Sequence, residues 1–172
     1  MFNTKIFAPK SLIVFFIIAL AYIYLFNFRN NAPLDIGVRA PDFDIKTLDN
    51  KNFKLSDIHL TKAIIFFKDN TFFTKHYLQF IKELKELNKN NSIYLLLFFD
   101  TRQEPSKILS IIHKNKDLKQ LEDITYITNI KKVAKQYGIK SWPHFYLLNE
   151  NNIVIYQAKT PSINKLKFFQ RG

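Results

Sequence analysis

Two threonines three residues apart, four histidines and no cysteine set the chemistry open to this chain. Thr71 and Thr74 lie in "FFKDNTFFTKH", residues 66–76, where an apolar run gives way to an amphipathic one. A threonine hydroxyl is a poor nucleophile unless a base takes its proton, and it can neither form nor exchange a disulfide. Asp69 and His76 are close enough in sequence to sketch a hydrolytic base or part of a metal site, but they complete no motif. The chain has no HExxH, no Gly-rich phosphate loop and no nucleophile elbow. His59 and His113 are remote in sequence and read as surface residues. Without cysteine, thiolate catalysis, disulfides and thiolate metal sites are excluded throughout. Thr71 then suits a structural role, an N-cap whose oxygen accepts from an amide in the first turn near Thr74. Phe72 and Phe73 between them are unusual at an exposed turn unless they bury something. No catalytic residue, cofactor or metal is expected.

The surrounding pattern predicts the elements that would position this turn. Asp42 to Ile58 contains two short extended pieces around Asp49-Asn50, a hairpin, with Ser56 and Asp57 opening the next turn. Ala63 to Phe67 is a continuous apolar run of strand length, as in a central strand covered on both faces. After the threonines, Tyr77, Phe80, Ile81, Leu84 and Leu87 recur at helical spacing. Ser92 to Asp100 reads as a second buried strand, and Pro105 opens a second helix carrying Ile108, Leu109, Ile111 and Ile112. Strand, helix, strand, helix implies parallel pairing. A short "ITYIT" leads to a helix in which Ile130, Val133, Ala134 and Tyr137 share a face and Gly138 ends the run. Two apolar runs around Asn149 to Asn152 make a hairpin, and Thr160-Pro161 is placed to cap a last helix reaching Phe169. No internal repeat or low-complexity segment interrupts this order.

The remaining sequence bears on location. From Leu12 to Phe26 every residue is apolar or aromatic. Ser11 to Phe28 as a helix, at about 1.5 Å per residue, is just long enough to cross a bilayer. "YLFNFRNNAP" offers no small-residue cleavage site, so residues 1–28 are expected to be an uncleaved signal anchor. Lys5 and Lys10 precede the span and only Arg29 closely follows it, which favours a cytoplasmic N-terminus and, in a bacterium, a periplasmic domain held by the inner membrane. Residues 29–36 read as a tether and 37–172 as one globular domain. The net charge is +12, from 26 Lys and Arg against 14 acids, but the lysines are scattered and no basic-aromatic stripe forms. Nucleic acid is therefore not an expected partner.

"IGVRAPDFDIKTLDNKNFKLSD" and "YGIKSWPHFYLLNENNIVI" carry a family resemblance. The first is similar to the opening of membrane-anchored TlpA/ResA-like proteins of the AhpC/TSA superfamily: Gly37, then Ala40 to Phe43, a turn at Leu48 to Lys51, and Leu55 to Asp57. Peroxiredoxins share that opening. The second is similar to the family's segment around a cis-proline, with Pro143 at the proline position. "IIFFKDNTFFTKHYLQFIKEL" occupies the place of the strand, turn and helix that bear the redox cysteines, and counting from Phe66 puts Thr71 and Thr74 on the two cysteine positions. The family's preceding tryptophan is Asn70 here, and its usual intervening proline is replaced by Phe72 and Phe73.

The resemblance covers about Gly37 to Phe169 and implies an α/β thioredoxin-like fold. It has a central mixed sheet flanked by helices and an N-terminal β-hairpin extension, behind one transmembrane helix. In active members the first thiolate is stabilised at a helix N-terminus and the second cysteine resolves the mixed disulfide. Thr71 and Thr74 can do neither. What the resemblance leaves is a redox-inactive, membrane-anchored module that holds an extended segment of another envelope protein, with a peptide-binding or chaperone-like role. Phe72, Phe73, Trp142, Pro143 and His144 would line its groove; Trp142 fits a groove or a core position equally. The alternative is a thiol-disulfide oxidoreductase or antioxidant protein working through a borrowed thiol or a metal held by histidines such as His76 and His144.

Overall fold

The computed structural model describes residues 9–29, 32–68, 75–88, 92–101, 104–114 and 124–167. Thr71, Phe72, Phe73 and Thr74, with Asp69, lie outside these residues, as does the segment expected to carry the last helix to Phe169. Helix α1 runs from Pro9 to Arg29. An N-terminal hairpin follows, β1 (Asp44–Lys46) against β2 (Asn52–Lys54), with a single 3-10 turn at Leu55–Asp57.

Five strands make the main sheet: β3 (Thr61–Lys68), β4 (Ile93–Asp100), β5 (Thr125–Ile127), β6 (His144–Leu148) and β7 (Val154–Ala158). Their order is β5-β4-β3-β6-β7. The β3–β4 and β4–β5 pairs are parallel, while β6 runs antiparallel to both β3 and β7. The two parallel pairs need crossovers. Helix α2 (Lys75–Leu87) and helix α3 (Pro105–Lys114) lie between the paired strands in the chain. Helix α4 (Lys131–Gln136) precedes β6, and helix α5 (Ile163–Leu166) follows β7.

Alternation along the strands splits the core in two. Ala63, Ile65, Phe67, Leu95, Leu97 and Phe99 face Phe80, Ile81 and Leu84 of α2 and Ile108 and Ile112 of α3. Ile64, Phe66, Leu96, Phe98 and Tyr146 face α4 and the hairpin, through Val133, Ala134, Tyr137, Phe43 and Phe53. Both faces of β3 and β4 are covered, which is why their sequences read as unbroken apolar runs.

Two local expectations need correction. The last helix is capped by Ser162, not Thr160: Ser162 is still extended, at φ −121° and ψ 126°, and its side chain makes no capping bond. A residue ahead of proline is pushed out of the helical region, so Thr160-Pro161 delays the helix instead of starting it. The expected tether is also partly absorbed into the globule. A Cβ on Gly138 would fall 1.8 Å from the Ala32 carbonyl oxygen, so residue 32 lies directly against the end of α4. Leu34 packs on the α4 side of the core and its N–H donates to the Tyr146 hydroxyl at 3.0 Å.

The side chains described along α1, Ile13 to Tyr24, are all exposed. That stretch is shorter than the roughly 20 residues a crossing needs. Among the described residues no helix is long and apolar enough to cross a membrane.

Candidate functional site

The register brings three chain segments to one rim of the sheet. Lys68, the last residue of β3, pairs with Asp100, the last of β4. Phe66 pairs with His144, the first residue of β6. The chain leaves this rim at Lys68 and returns at Lys75 to begin α2, so the residues expected to be a degenerate redox turn bridge two described positions there. The peptide bond between Trp142 and Pro143 is cis.

Trp142 is half-buried, its indole set edge-on to Phe66 with ring centroids 6.5 Å apart. Pro143 is buried. His144 is 1% exposed, so its imidazole presents no surface to a ligand in this conformation. Three neighbouring residues that sequence alone treats as one groove therefore divide into a half-open aromatic and two buried supports.

The surroundings of His144 fix its state. Its Nε2 is 3.0 Å from the Gln157 amide oxygen, an acceptor, so Nε2 carries the proton. Nδ1 is then a lone-pair acceptor, buried and without a protein partner. Burial, opposed by the Gln157 bond and reinforced by the charge of Lys159, holds the imidazole below the usual histidine range. The ring lies 4.8 Å from that of Tyr146. A neutral, sheltered histidine of this kind supports packing.

Tyr146 links the same face to the N-terminal segment. Its hydroxyl donates to the Tyr137 carbonyl at 2.8 Å while accepting from Leu34 N–H. Burial pushes it up to about 12. Tyr137 donates to the Pro41 carbonyl at 3.1 Å, and burial raises it well above the usual phenol range. Both phenols are neutral hydrogen-bonding posts.

Helix α4 closes the rim. Gly138 takes φ +64°, its N–H bonding back to Lys135 while Ile139 N–H bonds to the Ala134 carbonyl. This pair of bonds is the Schellman ending that favours glycine. Beside it lies a cleft of about 290 Å³ with Asp100, Lys131, Lys135, Lys140 and Trp142 in its wall. Trp142 is among the site residues expected from sequence; the lysines and Asp100 are not. The signals were present, in Lys131 and Lys135 four apart on the polar side of α4 and in the acid that ends "SIYLLLFFD".

His76 is exposed on α2, and His144 is buried under the sheet rim. Among the described residues no group of three His, Asp or Glu side chains could hold a metal ion. Asp69, the third residue drawn into that alternative, lies outside them.

Comparison with known proteins agrees with this architecture. Residues 36–157 match the model of the AhpC/TSA family. Among solved structures, a thiol:disulfide interchange protein from Bacteroides sp. is similar with a TM-score of 0.64 at 16% identity, over 81% of this chain and 92% of that one. A thiol peroxidase from Chromobacterium violaceum gives 0.63 at 17%, over 83% and 89%. The thioredoxin domain of a thiol-disulfide oxidoreductase from Bacteroides vulgatus gives 0.61 at 16%, over 79% and 98%. At such identities the likeness establishes the thioredoxin-like fold. No curated protein matches the chain.

Proposed function

The chain belongs to the AhpC/TSA family, and from that premise we propose a redox-inactive, thioredoxin-like binding module, anchored in the bacterial inner membrane with its domain in the periplasm. One observation carries the reading: a chain of this family, with the rim and cis-proline loop in place, has no cysteine anywhere. Thiol exchange needs a thiolate to attack and a second thiol to resolve, and no hydroxyl substitutes for either. What remains usable at the described rim is the half-buried Trp142, and we assign the Thr71 to Thr74 segment to the same site from its sequence position between β3 and α2. An extended segment of another envelope protein is the ligand we assign to it, in a peptide-binding or chaperone-like role.

The anchor rests on α1. Its described side chains form an apolar, exposed helix surface, with Phe15 77% and Tyr22 69% exposed. Water is a poor solvent for such a surface and a bilayer a good one.

A photo-crosslinking residue at Phe73 in the full-length protein, with matched positions at Lys85 and Lys107, tests the binding reading. Capture of one discrete envelope protein from Phe73 and from neither control is the expected result. Disulfide reductase or peroxidase activity in a purified, thiol-free and metal-free sample would overturn it.

A further inference from the structure

Among the described residues, the cleft beside α4 carries three lysines and one carboxylate, Asp100, and it adjoins the point where α1 reaches the domain. Lys131, Lys135 and Lys140 are exposed, and Trp142 adds a half-buried aromatic edge. Gly138, in the same cleft wall, touches the backbone of Ala32. Arg29 ends α1 only three residues earlier. Three residues of chain, however extended, reach no farther than about 10 Å. The hydrogen bond from Leu34 to Tyr146 and the packing of Leu34 pin this entry, so the domain is not free to swing on a long linker.

We infer that this cleft is a docking surface for anionic lipid headgroups, which Lys131, Lys135 and Lys140 draw against the cleft while Trp142 sits at the interface. The inference rests on the anchor reading above, because it takes the end of α1 as the membrane boundary. Charge and position agree: phosphates lie at the depth where such a helix ends, and lysines held within a Debye length of anionic headgroups are attracted to them. An indole, apolar with one N–H donor, suits the same layer. Asp100, the one carboxylate among the described residues of the cleft wall, opposes the attraction. The consequence is orientation: the rim of the sheet, with Trp142 and Lys68, is turned toward the membrane, where it meets membrane-proximal segments.

Trp142 is the chain's single tryptophan, so its fluorescence reports this cleft alone. The test uses the full-length protein in nanodiscs of phosphatidylcholine, with or without a phosphatidylglycerol minority, each containing a trace of lipid with a nitroxide on its headgroup. Quenching of Trp142 is expected to be stronger in the phosphatidylglycerol discs. Replacing Lys131, Lys135 and Lys140 together by Gln is expected to remove the difference, at about fivefold per lysine in the ratio of docked to undocked protein. The same change at Lys82, Lys107 and Lys114, on the opposite face of the sheet, is expected to leave it. Equal quenching in both discs, or equal loss in the two triple variants, overturns the inference while leaving the anchor intact. Release by inorganic phosphate, but not by chloride at matched ionic strength, assigns the cleft to free phosphate and also overturns it. Protein that fails to enter discs and is washed off bilayers at alkaline pH removes the anchor reading, and this one with it.

Discussion

The two ends of the central sheet are built differently. At the end away from the rim, polar groups are mostly tied down. Lys62 is completely buried, and its ammonium donates to the carbonyls of Asn149 and Glu150 at 3.3 and 3.0 Å. Asn149 accepts from the N–H groups of Asn151 and Ile153, and Ala40 N–H donates to the Asn152 carbonyl. Among the described residues at this end, the Asn152 side-chain oxygen is left buried without a protein partner. At the rim, Trp142 is half open, three lysines are exposed, and the sheltered His144 has an unpaired nitrogen. One end is tied together by buried hydrogen bonds; the other keeps exposed charge and a half-open aromatic.

Substitution should separate the ends by size of effect. Lys62→Ala removes both hydrogen bonds and leaves a cavity under the β6–β7 turn, and the expected loss is about 3 kcal/mol. Urea unfolding of the full chain in detergent, followed by Trp142 fluorescence, measures it. Gly138→Ala comes next. It places a Cβ at a positive φ and into the Ala32 backbone, for an expected loss of about 2 kcal/mol. Proteolysis near residues 32–36 should speed up in the same variant, because the chain must lift off α4. Proteolysis unchanged from wild type would mean that this entry segment is not held there.

The pH dependence of His144 is a smaller effect. Burial keeps its folded pKa below the unfolded value of 6.5, so the unfolded chain takes up the proton first. Stability is therefore full above 6.5 and falls as pH drops from there through the folded pKa. His144→Gln is expected to flatten that part of the pH profile measured by urea unfolding; an unchanged slope would place the acid sensitivity elsewhere. The smallest expected effect is at the rim. Lys131→Gln and Lys135→Gln should each stay within about 0.5 kcal/mol of wild type, as exposed substitutions do. If either costs as much as Lys62→Ala, the contrast between the two ends is wrong.

Much of the fold was legible because the relevant signals are local. The unbroken apolar run at Ala63 to Phe67 and the helical spacing of Phe80, Ile81 and Leu84 reflect burial on two faces and on one. Gly138 was correctly read as a helix end. Thr160 was misread as a cap because the residue after it, Pro161, was weighed as a helix starter and not as a constraint on its neighbour. The groove residues were harder. Nothing local distinguishes an exposed histidine at the start of a strand from a buried one, and His144 is buried because β6 sits between β3 and β7. Residues 29–36 looked like a linker from composition, and only contact with α4 and Tyr146, more than a hundred residues away, draws part of them in.

Sequence by itself determined the order of elements and the loss of thiol chemistry, since periodicity and the presence of sulfur are properties of the chain alone. It also determined the charge. Which charges matter was decided by tertiary structure. Lys62 reads like any other lysine, yet the sheet register buries it under two carbonyls, while Lys131, Lys135 and Lys140 become neighbours of Trp142 only when the Schellman turn folds the chain back across the rim. Hydrophobic periodicity sets which residues are inside; the pairing of strands distant in sequence sets what each of them meets.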